Sequence, residues 1–106
     1  MTHHPSIRDF KNAVSHAFDI APSNLIARNR SARYVVPRQV LCGLLREVSG
    51  MSYPRIGAVI DRDHTTVISN ARRFPDLMAD PVYGPQIKTA REALAGGKFR
   101  TARATA

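Results

Sequence analysis

The pattern that begins at Asp63 constrains this chain most. Through Phe74, Val67, Ile68, Ala71 and Phe74 fall on one face of a 3.6-residue helix, and Thr65, Ser69, Arg72 and Arg73 fall on the opposite face. Asp63 is suited to start that helix, because its carboxylate can accept the unpaired N–H groups of the first turn. The outward face is small hydroxyls followed by guanidinium groups. Such a face is slim enough to enter a groove and charged enough to hold phosphates. It reads as a recognition helix for double-stranded DNA.

The preceding residues can support one. Ser52-Tyr53-Pro54 starts a short helix whose buried side is Ile56, Val59 and Ile60. Gly57 inside it costs about 1 kcal/mol relative to Ala, so it predicts the close approach of another helix. A tight turn at Asp61-Arg62 leads into Asp63, and two helices so joined make a helix-turn-helix.

Earlier in the chain, Ser6 and Asp9 form a capping pair for a helix with Ile7, Phe10, Val14, Ala17 and Phe18 as its stripe. Ala21-Pro22-Ser23 is expected to end it. Asn24 to Ile26 make a short apolar return to the core. Arg28-Asn29-Arg30-Ser31-Ala32-Arg33 has no apolar period and reads as an exposed basic loop, able to grip phosphates or enter a minor groove. Pro37 fits the first position of a long helix. That helix carries Val40, Leu41, Leu44, Leu45 and Val48 as its core side and stops at Gly50.

After the recognition helix, Phe74-Pro75 is expected to act as a stop, with Asp76 to Asp80 adding one turn. A closing helix follows over Gln86–Ala95, with Ile87, Ala90, Ala93 and Leu94 inward. These elements predict an all-α small helical bundle over 6–95 and a basic flexible tail over 96–106. Lys98, Arg100 and Arg103 of the tail would add nonspecific attraction to DNA.

Charge agrees with a polyanionic partner. Sixteen Lys and Arg against eight Asp and Glu give +8 and a pI near 10.8. Most of the cations are Arg, which forks onto phosphate and guanine better than Lys. The single cysteine, Cys42, lies among Val40, Leu41, Leu44 and Leu45 and reads as a buried thiol. Neither a signal peptide nor a membrane span is expected, which predicts a cytoplasmic, nucleoid-associated protein. His3, His4, His16 and His64 with one cysteine show no zinc spacing, and no paired carboxylates or nucleophile-base set can be argued. The expectation is no enzyme, no metal and no cofactor.

Three patches are expected to converge on DNA: Arg28, Arg30 and Arg33; Arg38 and Gln39; and Arg62, Asp63, His64, Thr65, Thr66, Ser69, Arg72 and Arg73. A Thr methyl can pack on the thymine methyl, Asp63 can accept from cytosine N4, and His64 can donate to a base edge or phosphate. The alternatives are that Asp63 only caps and that His64 packs on a neighbour.

Arg62-Asp63-His64-Thr65-Thr66-Val67 resembles the signature of the C-terminal DNA-binding domain of the bacterial replication initiator DnaA. Pro37-Arg38-Gln39 and Ser52-Tyr53-Pro54-Arg55-Ile56-Gly57 are similar to that family's matching motifs, in the same order. The resemblance covers roughly 6–95. It implies a DnaA/TrpR-like helix-turn-helix that binds DnaA boxes or similar elements. In the family, positions matching Arg38, Gln39, Asp63, His64, Thr65 and Thr66 contact DNA around the major groove, and an arginine best matched by Arg30 enters the minor groove. Two departures stand out. The turn between Ile60 and Arg62 is one residue shorter than the family's usual Phe-Gly-Gly, which predicts an altered tilt of the recognition helix. Asn29 and Ala32 replace more basic residues, which predicts weaker phosphate affinity.

DnaA carries an AAA+ ATPase ahead of this domain. Here there is no Gly-x-x-x-x-Gly-Lys-Ser/Thr, and Gly96-Gly97-Lys98 lacks its spacing. The expectation is a stand-alone regulator of replication or transcription without ATPase activity, a monomer or weak dimer. A phage or mobile-element regulator fits equally. The competing expectation is an interaction module for a replication-regulator protein, such as a DnaA-inactivating ATPase, with DNA binding secondary.

Overall fold

Ser6 opens the first helix through both bonds of a capping box. Its Oγ accepts from the Asp9 N–H at 3.2 Å, and its own N–H donates to the Asp9 carboxylate at 2.9 Å. This computed structural model describes residues 5–26 and 32–96. Its elements are α1 (Ile7–Phe18), α2 (Pro22–Ile26), α3 (Ala32–Glu47), α4 (Tyr53–Ile60), α5 (His64–Ala79) and α6 (Tyr83–Gly96). No strand occurs among the described residues, so the all-α expectation holds.

Helix α1 ends sooner than Ala21-Pro22-Ser23. Asp19 turns left-handed at φ 55°, and its N–H donates to the His16 carbonyl. The left-handed cap satisfies the last carbonyls before proline is reached.

Helix α3 runs through the centre of the core. Val40, Leu41, Cys42, Leu44 and Leu45 are fully buried. Its start corrects two expectations. The helix begins at Ala32, so Arg33 lies in its first turn rather than in a loop, and Pro37 is inside it rather than first. A proline just past the first turn removes one N–H bond and costs about 3 kcal/mol or more in a helix interior. Burying each of Leu41, Leu44 and Leu45 returns about 1.5–3 kcal/mol, so packing outweighs the local penalty. Val48 is 44% exposed, not in the core, because α3 ends at Glu47 and leaves it past the last turn. Gly50 then stops the helix as expected, at φ 69°. Arg46 secures the connection to α4. It donates to the Met51 carbonyl at 3.1 Å and lies 4.4 Å from the Tyr53 ring centroid.

Helix α5 also passes its proline. Pro75 is internal and the helix continues to Ala79. Phe74 and Leu77 are buried on either side of it and anchor the segment. Phe74 sits against Gly43 of α3, where no side chain intervenes. Helix α6 starts at Tyr83, earlier than Gln86, because the Asp80 carboxylate accepts from the N–H groups of Val82 (2.7 Å) and Tyr83 (3.1 Å). Pro85 is tolerated in its first turn. Ile87, Ala90 and Leu94 bury its inner side as expected. From residue 97 on, the expected basic tail lies outside the described residues.

Candidate nucleic-acid interface

Two helices and a three-residue turn carry the site. Ser52 caps α4 through a bond from the Arg55 N–H at 3.3 Å. At its far end Asp61 takes a left-handed conformation, φ 56° and ψ 52°. This lets the Asp61 and Arg62 N–H groups both reach the Gly57 carbonyl, the latter at 2.9 Å. A non-glycine residue there is strained by about 1–2 kcal/mol, less for Asp than for most. Asp61 thus closes the turn.

Gly57 is approached by this turn and by the start of α5, the helix whose close approach the glycine predicts. A Cβ on Gly57 would lie 2.5 Å from the Arg62 carbonyl oxygen and 3.6 Å from both the His64 nitrogen and Val67 Cγ2. The absent side chain lets α5 start directly over α4.

Asp63 caps α5 as its chemistry predicts, accepting from the Thr65 N–H at 3.1 Å. Hydrogen bonds from the Thr65 side chain and backbone hold its carboxyl below the ordinary value. His64 is not packed away. Its side chain is 58% exposed, with Nδ1 3.9 Å from the Asp63 carboxylate. Thr65, Thr66, Ser69, Arg72 and Arg73 are exposed along the same face. Val67 and Phe74 are buried beneath them, as the 3.6-residue pattern requires. The exposed Arg73 pairs with Asp76 at 3.5 Å, a contact that salt weakens. Gly57, Ala58, Asp61, Arg62, Asp63 and Thr66 line a shallow polar concavity at the head of this face.

The other expected contacts divide. Gln39 is half-buried on α3 and Arg33 is exposed in its first turn. Arg62 folds back on the turn, where its Nη1 donates to the carbonyls of Ile60 (3.1 Å) and Asp61 (2.9 Å). Arg38 is only 8% exposed and donates to the carbonyls of Leu25 and Asn24. Burial and the neighbouring Arg62 charge lower its pKa. Arg28 and Arg30 lie outside the described residues.

Sequence reasoning missed two supports. Asn70 Nδ2 donates to Cys42 Sγ at 3.7 Å and ties α5 to α3, while burial pushes the Cys42 thiol up to about 11. Gly43 admits Phe74. A glycine among leucines on a core-facing helix was the available signal, since it is unfavourable there without a packing reason. Among the described residues, no cluster of three or more His, Cys, Asp or Glu could hold a metal ion, and no helix is long and apolar enough to cross a membrane.

Comparison with known proteins places this arrangement. The family model for the bacterial dnaA protein helix-turn-helix matches residues 7–73. The chain is 43% identical over 60 residues to chromosomal replication initiator protein DnaA 1 of Chlamydia muridarum, covering 57% of this chain and 13% of that protein. Against DnaA 1 of Chlamydia trachomatis serovar D, identity is 42% over 68 residues, covering 64% and 15%. Against DnaA of Acinetobacter baylyi, it is 35% over 85 residues, covering 78% and 18%. The chain therefore spans less than a fifth of the length of these relatives.

Proposed function

This chain belongs to the bacterial DnaA helix-turn-helix family, and from that premise we propose that it binds double-stranded DNA sequence-specifically at DnaA-box-like sites. It does so in the nucleoid, as a monomer or weak dimer, and regulates replication initiation or transcription. The proposal assigns it no ATPase activity. One observation carries the reading: Asp63, His64, Thr65, Thr66, Ser69, Arg72 and Arg73 are all exposed at the start and along one face of α5, whose opposite side is anchored by Val67, Phe74 and Leu77.

The roles within that face are distinct. The N-terminal hydroxyls and His64 reach base edges, and their register is held by the Asp63 cap. Arg72 and Arg73 lie one to two turns further on and meet phosphates. The positive end of the α5 dipole adds a further attraction for phosphate.

The test measures affinity for a box-bearing duplex and a scrambled duplex across a salt series. The box is expected to bind roughly a thousand-fold more tightly, with log affinity falling steeply against log salt. Arg72→Ala should weaken both duplexes alike and reduce the salt slope by about 1. Thr65→Ala keeps the capping N–H but removes the hydroxyl that also bonds to Asp63, and should weaken the box by about 1–3 kcal/mol while barely changing the scrambled duplex. Equal affinity for the two duplexes would sink the specificity claim. Identical behaviour of the two variants would show that this division of roles is wrong.

A further inference from the structure

Arg38 belongs to the Pro-Arg-Gln motif that sequence resemblance assigns to DNA contact, yet its guanidinium is engaged elsewhere. Nε donates to the Leu25 carbonyl at 2.7 Å in a buried setting, and Nη2 donates to the Asn24 carbonyl at 3.3 Å. Nε and Nη2 form one bidentate edge of the guanidinium. That fork is thereby unavailable to a phosphate or a guanine. Its two acceptors lie at the C-terminal end of α2, where carbonyls have no partner within the helix. Arg38 therefore supplies, from α3, a cap for the end of α2. Leu25 is fully buried beside it, and Asn24 Nδ2 donates to the Tyr34 hydroxyl at 3.4 Å as a second strap between the same helices.

We infer that Arg38 is a positioning residue for DNA binding: it locks α2 against α3 and acts on the duplex through that corner, not by a phosphate contact of its own. The inference rests on the DNA-binding reading above. A helix of five residues has little stability alone. Without the two bonds, α2 loses its hold on α3 at the start of the Pro-Arg-Gln motif.

Lysine separates the two roles, because it keeps the charge and loses the fork. Arg38→Lys and Arg38→Met are compared with the native protein in two measurements. The first is amide hydrogen exchange at Leu25 and Ile26 without DNA. The second is affinity for the box-bearing duplex across a salt series. A positioning role predicts faster exchange in both variants. It also predicts a similar loss of affinity in both, about ten-fold or more, with matching salt slopes. A direct phosphate contact predicts native exchange, near-native binding by Arg38→Lys, and a salt slope reduced by about 0.9 for Arg38→Met alone; that result overturns the inference. Native affinity in both variants also overturns it. Failure of the native protein to bind the box would instead remove the DNA-binding reading itself. Far-ultraviolet circular dichroism establishes that each variant is folded before either comparison.

Discussion

Replacing Gly57 with Ala should destabilise the protein and reduce duplex affinity together. Helix propensity alone points the other way, since Ala is favoured over Gly by about 1 kcal/mol inside a helix. The contact decides the sign. The new Cβ would sit 2.5 Å from the Arg62 carbonyl oxygen, well inside van der Waals contact. That oxygen is backbone and cannot rotate aside. The turn that carries it is held by the Asp61 and Arg62 N–H groups on the Gly57 carbonyl and by the Arg62 guanidinium on Ile60 and Asp61. Relief therefore requires the turn to lift, and Asp63, the cap of α5, lifts with it. Overpacking of this kind costs about 1–3 kcal/mol. Urea denaturation should show that loss, and duplex titration on the folded variant should show at least about a ten-fold weaker complex, because a small misplacement of the α5 N-terminus spoils base contacts. A variant more stable than native, with unchanged affinity, would mean that the turn yields freely and does not aim α5.

Gly43→Ala should be more damaging to stability. Its Cβ would meet Phe74 Cγ at 2.1 Å, Cδ1 at 2.4 Å and Cβ at 2.6 Å. Rotating the Phe74 ring cannot answer the last of these, because Cβ is fixed to the α5 backbone. Helices α3 and α5 must part, which loosens the buried layer of Val40, Leu44 and Val67. The loss should reach about 3 kcal/mol, a large share of the 5–15 kcal/mol typical of such domains. Thermal unfolding should fall by roughly 10 °C or more. Removing the Phe74 ring should recover part of this. Gly43→Ala with Phe74→Leu is expected to be less unstable than the sum of the two single changes, and strict additivity would show that the two residues do not compete for the same space.

These two glycines also mark where sequence reading stopped. Helix starts were legible because they are local. Ser6, Ser52 and Asp63 each bond an N–H within three residues of themselves. The exposed face of α5 was legible because a 3.6-residue period needs no knowledge of what lies opposite. Helix continuations were not. Pro37 and Pro75 look like boundaries when each is weighed by its missing N–H, and only the long-range packing around Leu41, Leu44, Phe74 and Leu77 outweighs that penalty. Gly57 announces a close approach, which the start of α5 makes, but not that the tightest contact is the Arg62 carbonyl oxygen of the turn. The charge and motif of Arg38 and Arg62 are visible in a sequence and point to DNA. The carbonyls that they meet, 13 residues away for Arg38 and in its own turn for Arg62, become neighbours only after the corner and the turn have formed.

On the proposed function, the head and outer face of α5 meet duplex DNA and read its sequence. The most direct measurement is an NMR titration of isotope-labelled protein with a box-bearing duplex, repeated with a scrambled one. Amide shifts with the box should concentrate at Arg62 to Thr66, Ser69, Arg72 and Arg73, saturate at one complex, and be smaller and unsaturated with the scrambled duplex. Shifts centred on α6, with the head of α5 unmoved, or the same shifts with both duplexes, would contradict it.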